Sequence, residues 1–375
     1  MGELVALDLP PGPGFVDALR AAWDSGDAVL PVDTRLPAPA VARLLDTLRP
    51  SIVVSTDGVR TLRGGVPTEE GDALVVATSG TTGVPKGVVH TLASVSASAI
   101  MTSAALGVDP GRDRWVACLP LAHIGGLSVV TRSLLTGTPC TVLPGFDAAA
   151  VEDEARRGAT LVSLVATTLL RCDASGYRAV LLGGAAPPTA LPANVVTTYG
   201  MTETGSGCVY DGLPLAGVEV RIGDDRVGAE GEILVRGPML LRAYRDGSDP
   251  RTADGWLPTG DGGRLGGDGT LTVLGRMAEV IVTGAEKVWP VPVEAVLAGH
   301  PDIAEVAVWK RPDPDWGERV VAWVVLVPGA QRPGAAELRE LVADRIAPWA
   351  GPREVVVVDV LPRTASGKVR RADLS

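Results

Sequence analysis

The sequence predicts an α/β protein. It has a large N-terminal domain with parallel-rich sheets and a small β-rich subdomain, followed by a small α+β C-terminal domain. Three observations carry this. From about residue 72 to residue 200, short apolar runs alternate with helical patterns, which argues for a mostly parallel sheet covered by helices. After about Asp211 the texture changes to short alternating runs between glycine turns, "VEVRIG", "GEILVRG" and "GTLTVLG", as in antiparallel strands. From about Met277 a further unit mixes strands and helices. The boundary falls at the candidate linker "GRMAEVIVTG", giving domains of residues 1–276 and 277–375.

The elements follow in order. Residues 1 to about 70 read as short helices with a strand or two; "PAPAVARLLDTLRPS" has helical periodicity and "SIVVS" is a short buried strand. "DALVVATSG" is a strand running into a Gly-rich loop, and "TLASVSASAIMTSAALG" is a small-residue helix ending near Gly107. Strand "RWVACLP", a helix near "GGLSVVTRSLLTG", strand "PCTVLP", helix "AAAVEDEARRG" and strand "TLVSLV" come next. "YRAVLLGG" and "NVVTTYG" are strands ending in glycine turns. The last unit reads as a small α/β unit containing "VPVEAVLAGHPDI", "IAEVAVWKR", "RVVAWVVLV", "AAELRELVADRIA" and "REVVVVDVL".

Composition narrows the class. Of 375 residues 46% are hydrophobic and 21% charged, which describes a globular chain. The net charge of −10 argues against a nucleic-acid or anionic-membrane binder, whose affinity rests on basic surface. Cys118, Cys140, Cys172 and Cys208 lack metal-ligand spacing and fit small buried hydrophobes in a reducing cytosol. With no basic, apolar leader at the N-terminus and no long apolar run, the expectation is a cytoplasmic protein without membrane insertion. Lysine occurs only at Lys86, Lys287, Lys310 and Lys368; the other basic residues are arginine. Two of these lysines sit in Ser/Thr/Gly loops, where a compact mobile ammonium does what arginine cannot.

The loop "TSGTTGVPKG" suits phosphate, because small residues let backbone N–H groups approach oxygens. It also suits a flexible turn. It is not a Walker A loop: the fifth residue after Gly80 is Pro85, and Gly87 follows Lys86. No G-x-G-x-x-G follows a strand, so a dinucleotide fold is poorly supported. In "TTYGMTETG", Tyr199 could stack on a purine, Thr202 bond a phosphate and Glu203 hold Mg²⁺. Taken alone, a capped strand-to-helix turn explains it as well. "LPTGDGG" puts Asp261 in a glycine turn, where a carboxylate could accept two ribose hydroxyls.

The ordered set "TSGTTGVPKG", "YGMTE", "TGD", "GR" and "LPRTASGK" resembles the adenylate-forming superfamily of acyl-CoA synthetases, adenylation domains and luciferases. The resemblance runs from about Ala28 onward. "LPLAHIGGLSVVTRSLLTG" and "YGMTETGSGCVYDGLPLAGVEV" look most like the short actinobacterial-type o-succinylbenzoate–CoA ligases of menaquinone biosynthesis. The resemblance implies an ATP-dependent acid–thiol ligase. A carboxylate attacks the α-phosphorus of Mg·ATP, giving acyl-adenylate and pyrophosphate; CoA thiolate then takes the acyl group and expels AMP.

The implied roles follow residue by residue. Thr78, Ser79, Gly80, Thr81, Thr82, Gly83 and Lys86 hold the β- and γ-phosphates. Gly183, Gly184, Ala185 and Tyr199 flank the adenine, and Gly200, Met201 and Thr202 complete the nucleotide site, Thr202 at the α-phosphate. Glu203 coordinates Mg²⁺, Asp261 binds the ribose with Arg276 nearby, and Lys368 bridges carboxylate and α-phosphate. His123 borders the acyl pocket and the route to the acyl carbon, with Val165, Gly205 and Ser206. The implied ligands are a small carboxylate, ATP, Mg²⁺ and CoA; a homodimer is compatible with the pattern.

The resemblance also implies a mobile C-terminal domain turning about a hinge after "GR". Ala278 stands where Asp or Lys is common, which leaves the pivot open, and the role of Lys287 in "VTGAEKVWP" is open too. Arg132, Arg171 and Ser206 are candidates for a distal substrate carboxylate. His90 and His300 have no comparable context and read as incidental. Other acyl- or aryl-CoA ligation, acylation of a free carrier protein, and non-catalytic nucleotide binding are the competing readings.

Overall fold

The computed structural model describes residues 2–79, 85–188, 190–223, 228–363 and 369–374. The chain divides into two compact units, Met1–Val220 with Val235–Leu257, and Arg221–Leu234 with Pro258–Ser375. The boundary expected at 276/277 was drawn at a hinge rather than by packing, and it falls inside the second unit.

The first unit opens with β1 (Leu4–Asp8), α1 (Pro13–Asp24), β2 (Ala28–Pro31), α2 (Ala38–Leu48) and β3 (Ile52–Ser55). β1 lies between β2 and β3 and is parallel to both. The N-terminal segment is therefore a small α/β layer with more strand than the sequence reading gave it. Leu4, Ala6, Leu30 and Val53 of these strands share a core with Leu44 and Leu48 of α2. β4 (Gly58–Thr61) turns back on β3, and β5 (Asp72–Ser79) runs parallel to β2.

β5 does not lead through a loop directly into a helix, as expected. Pro85–Thr91 forms β6, antiparallel to β5, with Thr78 opposite Lys86. The "VVH" run that follows Gly87 supplies the strand: Val88 and Val89 are buried. Thr91 ends β6 and caps α3 (Leu92–Ala105), its side chain accepting from the Ser94 N–H at 3.1 Å.

A second sheet is built from β7 (Trp115–Ala117), β8 (Cys140–Val142), β9 (Leu161–Val165), β10 (Ala179–Gly183), β11 (Val195–Met201), β12 (Ser206–Tyr210) and β13 (Leu213–Pro214). Helices α4 (Ile124–Thr136), α5 (Ala148–Arg156) and α6 (Ala166–Leu169) lie between its strands in sequence. Among the described residues its order is β13-β12-β11-β10-β9-β7-β8. β7, β9, β10 and β11 are mutually parallel, so their carboxyl ends share one edge. That edge carries the segments leading to His123, Val165, Gly183 and Thr202, as ligand sites of open parallel sheets do.

β14 (Glu219–Ile222), β15 (Glu230–Arg236), β17 (Leu257–Leu265) and β18 (Leu271–Arg276) form a four-stranded sheet, while β16 (Ala243–Tyr244) adds to β6. The second unit continues with β19 (Ile281–Thr283), β20 (Glu286–Val288), α7 (Pro290–Leu297), β21 (Ile303–Asp313), β22 (Gly317–Leu326), α8 (Ala335–Ala343) and β23 (Glu354–Val357). Ile281, Val293, Leu297, Val308, Ala322, Leu338 and Val355 fill its core. The expected linker contracts to one 3-10 turn, Met277–Glu279, between β18 and β19. Among the described residues no helix is long and apolar enough to cross a membrane. The four cysteines are free thiols; burial pushes Cys118 and Cys208 up to about 12, so neither is a nucleophile at neutral pH.

Candidate active site

In the first unit the nucleotide residues gather at two places. One is the β5–β6 hairpin, where the Thr78 hydroxyl donates to the Lys86 carbonyl at 3.4 Å. Lys86 projects from a strand rather than a loop, and its ammonium lies 4.8 Å from the ring centroid of Tyr244. Gly80, Thr81, Thr82 and Gly83 lie outside the described residues, as does the Ser79 side chain.

The other place is the end of β11. Gly200 sits at an irregularity in the β11–β12 pairing, and a side chain there would collide with the Ser206 carbonyl. Met201 leads into a 3-10 turn, Thr202–Thr204, closed by Gly205 at φ 67°. Thr204 locks this turn: its hydroxyl receives the Met201 N–H at 2.8 Å and lies 2.6 Å from the Ser206 carbonyl. Glu203 at its centre is fixed twice. Its carbonyl accepts from the Leu241 N–H at 2.8 Å, and its Oε1 accepts from the Tyr244 hydroxyl at 3.0 Å. No cluster of three or more potential metal ligands occurs among the described residues. A single carboxylate suits Mg²⁺ delivered with phosphates, which keeps most of its shell on phosphate and water.

Gly183 ends β10 opposite Val165, one position beyond the Leu182–Thr197 pair that joins β10 to β11. Gly184 and Ala185 are exposed. A side chain at Gly183 would meet Thr198, the residue before Tyr199, and one at Gly184 would meet Val165.

His90 corrects the sequence reading. It is fully buried, and its Nε2 lies 2.7 Å from the Thr202 carbonyl, with Nδ1 3.3 Å from the Ser94 hydroxyl. A carbonyl can only accept, so Nε2 carries the proton. The imidazole therefore ties β6, the strand that begins at Lys86, to the turn that carries Thr202 and Glu203. Burial lowers its pKa from 6.5 to about 4. Unfolding restores the ordinary value, so between pH 6.5 and about 4 the unfolded chain binds a proton that the folded chain refuses. Stability present above pH 6.5 is lost as the pH falls toward 4. His90→Gln, which can keep a donor, is expected to flatten this part of the acid limb in denaturant titrations. His90→Leu strands the Thr202 carbonyl and should cost about 1–3 kcal/mol at neutral pH. Equal acid sensitivity in wild type and His90→Gln would refute the assignment. His300 instead makes a local contact, its Nε2 lying 3.2 Å from Glu337 Oε1.

His123 precedes the first turn of α4. Its Nε2 stands 3.7 Å from Asp33 Oδ2, and Asp33 is gripped by Arg35 through Nε at 2.8 Å and Nη2 at 2.6 Å. The Arg35 hydrogen bonds hold the Asp33 carboxyl below its usual range. Asp33 had no sequence signal. Ser206 directs its hydroxyl at Ser128 Oγ of α4, 3.3 Å away. One helical turn further along the same face comes Arg132.

Arg132 is 1% exposed, stacked 4.8 Å over the Trp115 ring. Its Nε and Nη1 have no hydrogen-bond partner, and it forms no ion pair among the described residues. Arg171, the alternative, is exposed beside Phe146.

In the second unit Asp261 lies inside β17, not in a turn. It pairs across the ladder with Arg276 of β18, whose Nε is 3.0 Å from Asp261 Oδ1. The glycines after it are a packing requirement: the Trp289 ring occupies the space a side chain at Gly262 would need. Arg371 joins the hinge turn to α7, with Nη1 2.8 Å from Glu279 and Nη2 2.8 Å from Glu294. Lys287 is exposed on β20. Lys368 lies outside the described residues.

Comparison with known proteins places the chain in a family. Residues 61–245 match the AMP-binding enzyme family and residues 292–368 the AMP-binding enzyme C-terminal domain. The chain is 40% identical to the probable 2-succinylbenzoate–CoA ligase of Mycobacterium tuberculosis, over 91% of this chain and 94% of that one. It is 37% identical to the 2-succinylbenzoate–CoA ligase of Geobacillus kaustophilus, over 80% of this chain and 68% of that one. The o-succinylbenzoate CoA synthetase of Bacillus subtilis, solved with the acyl-adenylate OSB-AMP, superposes with a TM-score of 0.86 at 30% identity, covering 100% of this chain and 88% of that one. The same synthetase, solved with ATP and magnesium ion, gives a TM-score of 0.84 at 29% identity, covering 100% of this chain and 89% of that one. From the ordered motifs, the folded site and these relatives together, the chain belongs to the 2-succinylbenzoate–CoA ligase family of adenylate-forming, AMP-binding enzymes.

Proposed function

We propose that this chain converts o-succinylbenzoate to o-succinylbenzoyl-CoA as a cytoplasmic step of menaquinone biosynthesis. A substrate carboxylate oxygen attacks the α-phosphorus of ATP, the bond to the β-phosphate oxygen breaks, and pyrophosphate leaves. CoA sulfur then attacks the acyl carbon and AMP leaves with its oxygen. Lys86, Thr78 and the Gly80–Gly83 loop grip the departing pyrophosphate. Glu203 holds Mg²⁺, which screens phosphate charge when bound. Gly183–Ala185 and Tyr199 take adenine, Asp261 takes ribose, and Lys368 meets the α-phosphate. Residues 277–375 move between the two half-reactions about a hinge after Arg276.

One observation supports a dicarboxylate substrate above the rest. Arg132 is a buried guanidinium without a carboxylate partner among the described residues, one turn from the Ser128 hydroxyl that meets Ser206. A distal carboxylate supplies the missing counter-charge. The test is a panel of acids with ATP, Mg²⁺ and CoA, read by AMP release. o-Succinylbenzoate is expected to lead by kcat/KM; benzoates or fatty acids ahead of it would overturn the substrate assignment.

A further inference from the structure

Opposite charges placed to clasp Mg·ATP face a problem before ATP arrives. A phosphate-binding ammonium and a metal-binding carboxylate in one pocket attract each other, and a direct ion pair between them closes the site. Among the described residues Lys86 makes no ion pair, although Glu203 lies on the same side chain's far edge: Tyr244 touches both. Its hydroxyl donates to Glu203 Oε1 at 3.0 Å, and its ring face receives the Lys86 ammonium 4.8 Å from the centroid.

The placement is rigid. β16 pairs with β6 so that Tyr244 stands opposite Val88, which makes Lys86 its diagonal neighbour, within reach of a long side chain. Arginines anchor the strand on both sides. Arg242 Nε lies 2.7 Å from Asp72 Oδ1, and Arg245 donates to the Leu48 carbonyl at 3.2 Å and the Pro67 carbonyl at 3.1 Å. Leu241, just upstream, holds the Glu203 carbonyl through its N–H. A phenol is protonated at neutral pH, and a carboxylate oxygen only accepts, so the hydroxyl is the donor in this contact.

We propose that Tyr244 is a positioning residue that keeps Lys86 and Glu203 apart and ready, the first on its ring and the second on its hydroxyl. Its ring lets the ammonium rest on a π face that phosphate oxygens readily outcompete. Its hydroxyl orients one carboxylate oxygen and leaves the other for the metal. This rests on the reading of Lys86 as a phosphate ligand and Glu203 as the Mg²⁺ ligand.

Tyr244→Phe removes only the hydroxyl. It is expected to raise the Mg²⁺ concentration needed for half-maximal adenylation by about tenfold or more, as for loss of a hydrogen bond to a charged group. Tyr244→Leu removes the ring as well. It should add an increase in KM for ATP of up to about fivefold, the strength of the exposed Lys86–Glu203 ion pair that the ring no longer prevents. Thioester formation from supplied acyl-adenylate, which needs no pyrophosphate grip, is expected to be spared in both. The Mg²⁺ shift of Tyr244→Phe should vanish in a Glu203→Gln background, because coupled residues are not additive. If Glu203→Gln leaves the Mg²⁺ requirement unchanged, the underlying metal assignment fails. If Glu203→Gln shifts it while Tyr244→Phe does not, or if the two shifts add, the positioning role fails.

Discussion

Lys368→Ala is expected to slow acyl-adenylate formation by about 10²–10³-fold, a loss of about 2.7–4 kcal/mol of transition-state stabilisation. Thioester formation from supplied acyl-adenylate should change only a few-fold. The asymmetry follows from where charge moves. In the first half-reaction negative charge shifts from the attacking carboxylate to the phosphate oxygens, and a cation between them stabilises the transition state more than the bound substrates. In the second, charge moves from sulfur to the adenylate leaving group at the acyl carbon. Lys368→Arg should rescue little, since a planar fork does not replace a compact ammonium. ATP–pyrophosphate exchange reads the first step, and release of AMP from synthetic acyl-adenylate plus CoA reads the second. Equal loss in both assays would sink the assigned role. Three residues downstream, Arg371 is held by Glu279 of the hinge turn and Glu294 of α7. That clamp gives the chain just after Lys368 a fixed attachment within the second unit.

The parts of this molecule legible in its sequence are those whose cause is local. The repeated apolar spacing of residues 38–48, and the β-branched runs of β21 and β22, needed no tertiary information. The motif set was legible because each member has an unusual local composition. Where glycine served packing instead of turning, the sequence misled. The "TGDGG" stretch is the strand β17, with Gly262 required by the Trp289 ring from residues away. Likewise "PKG" opens β6, because Val88 and Val89 are buried and bind it to β5. Supporting residues were invisible for a different reason. His90 matters through a contact 112 positions away and Tyr244 through one 41 positions away. A lone histidine after two valines, or a tyrosine in an Arg-rich turn, carries no periodicity that reveals such partners. Asp33 behind His123 is a third case: nothing in "VDTR" points to position 123.

Arg132→Met should make the protein more stable and the enzyme worse. A guanidinium stays protonated even when buried, so without a carboxylate beside it Arg132 retains most of its desolvation penalty. Stacking on Trp115 recovers part of this, and no carboxylate among the described residues supplies a counter-ion. Methionine keeps the apolar stem and the contact with the ring while removing the charge. Replacing buried ionic groups with well-packed apolar ones commonly stabilises by about 1–4 kcal/mol, and a shift of this sign is expected in the urea midpoint. Activity should move the other way. If the distal carboxylate of o-succinylbenzoate completes the pair, losing Arg132 should cost about 2–5 kcal/mol in kcat/KM for that acid, roughly 30-fold to several thousandfold. The discriminating comparison is 3-benzoylpropionate, which keeps the succinyl carboxylate and lacks the one on the ring. Its much lower kcat/KM should be nearly indifferent to the substitution, so selectivity between the two acids collapses while the fold tightens. A purely structural arginine would behave otherwise: Arg132→Met would lose stability, and both acids would suffer alike. Retaining a destabilising charge in the core makes sense only if the substrate neutralises it, which places the cost of specificity in the free enzyme and its return in the complex.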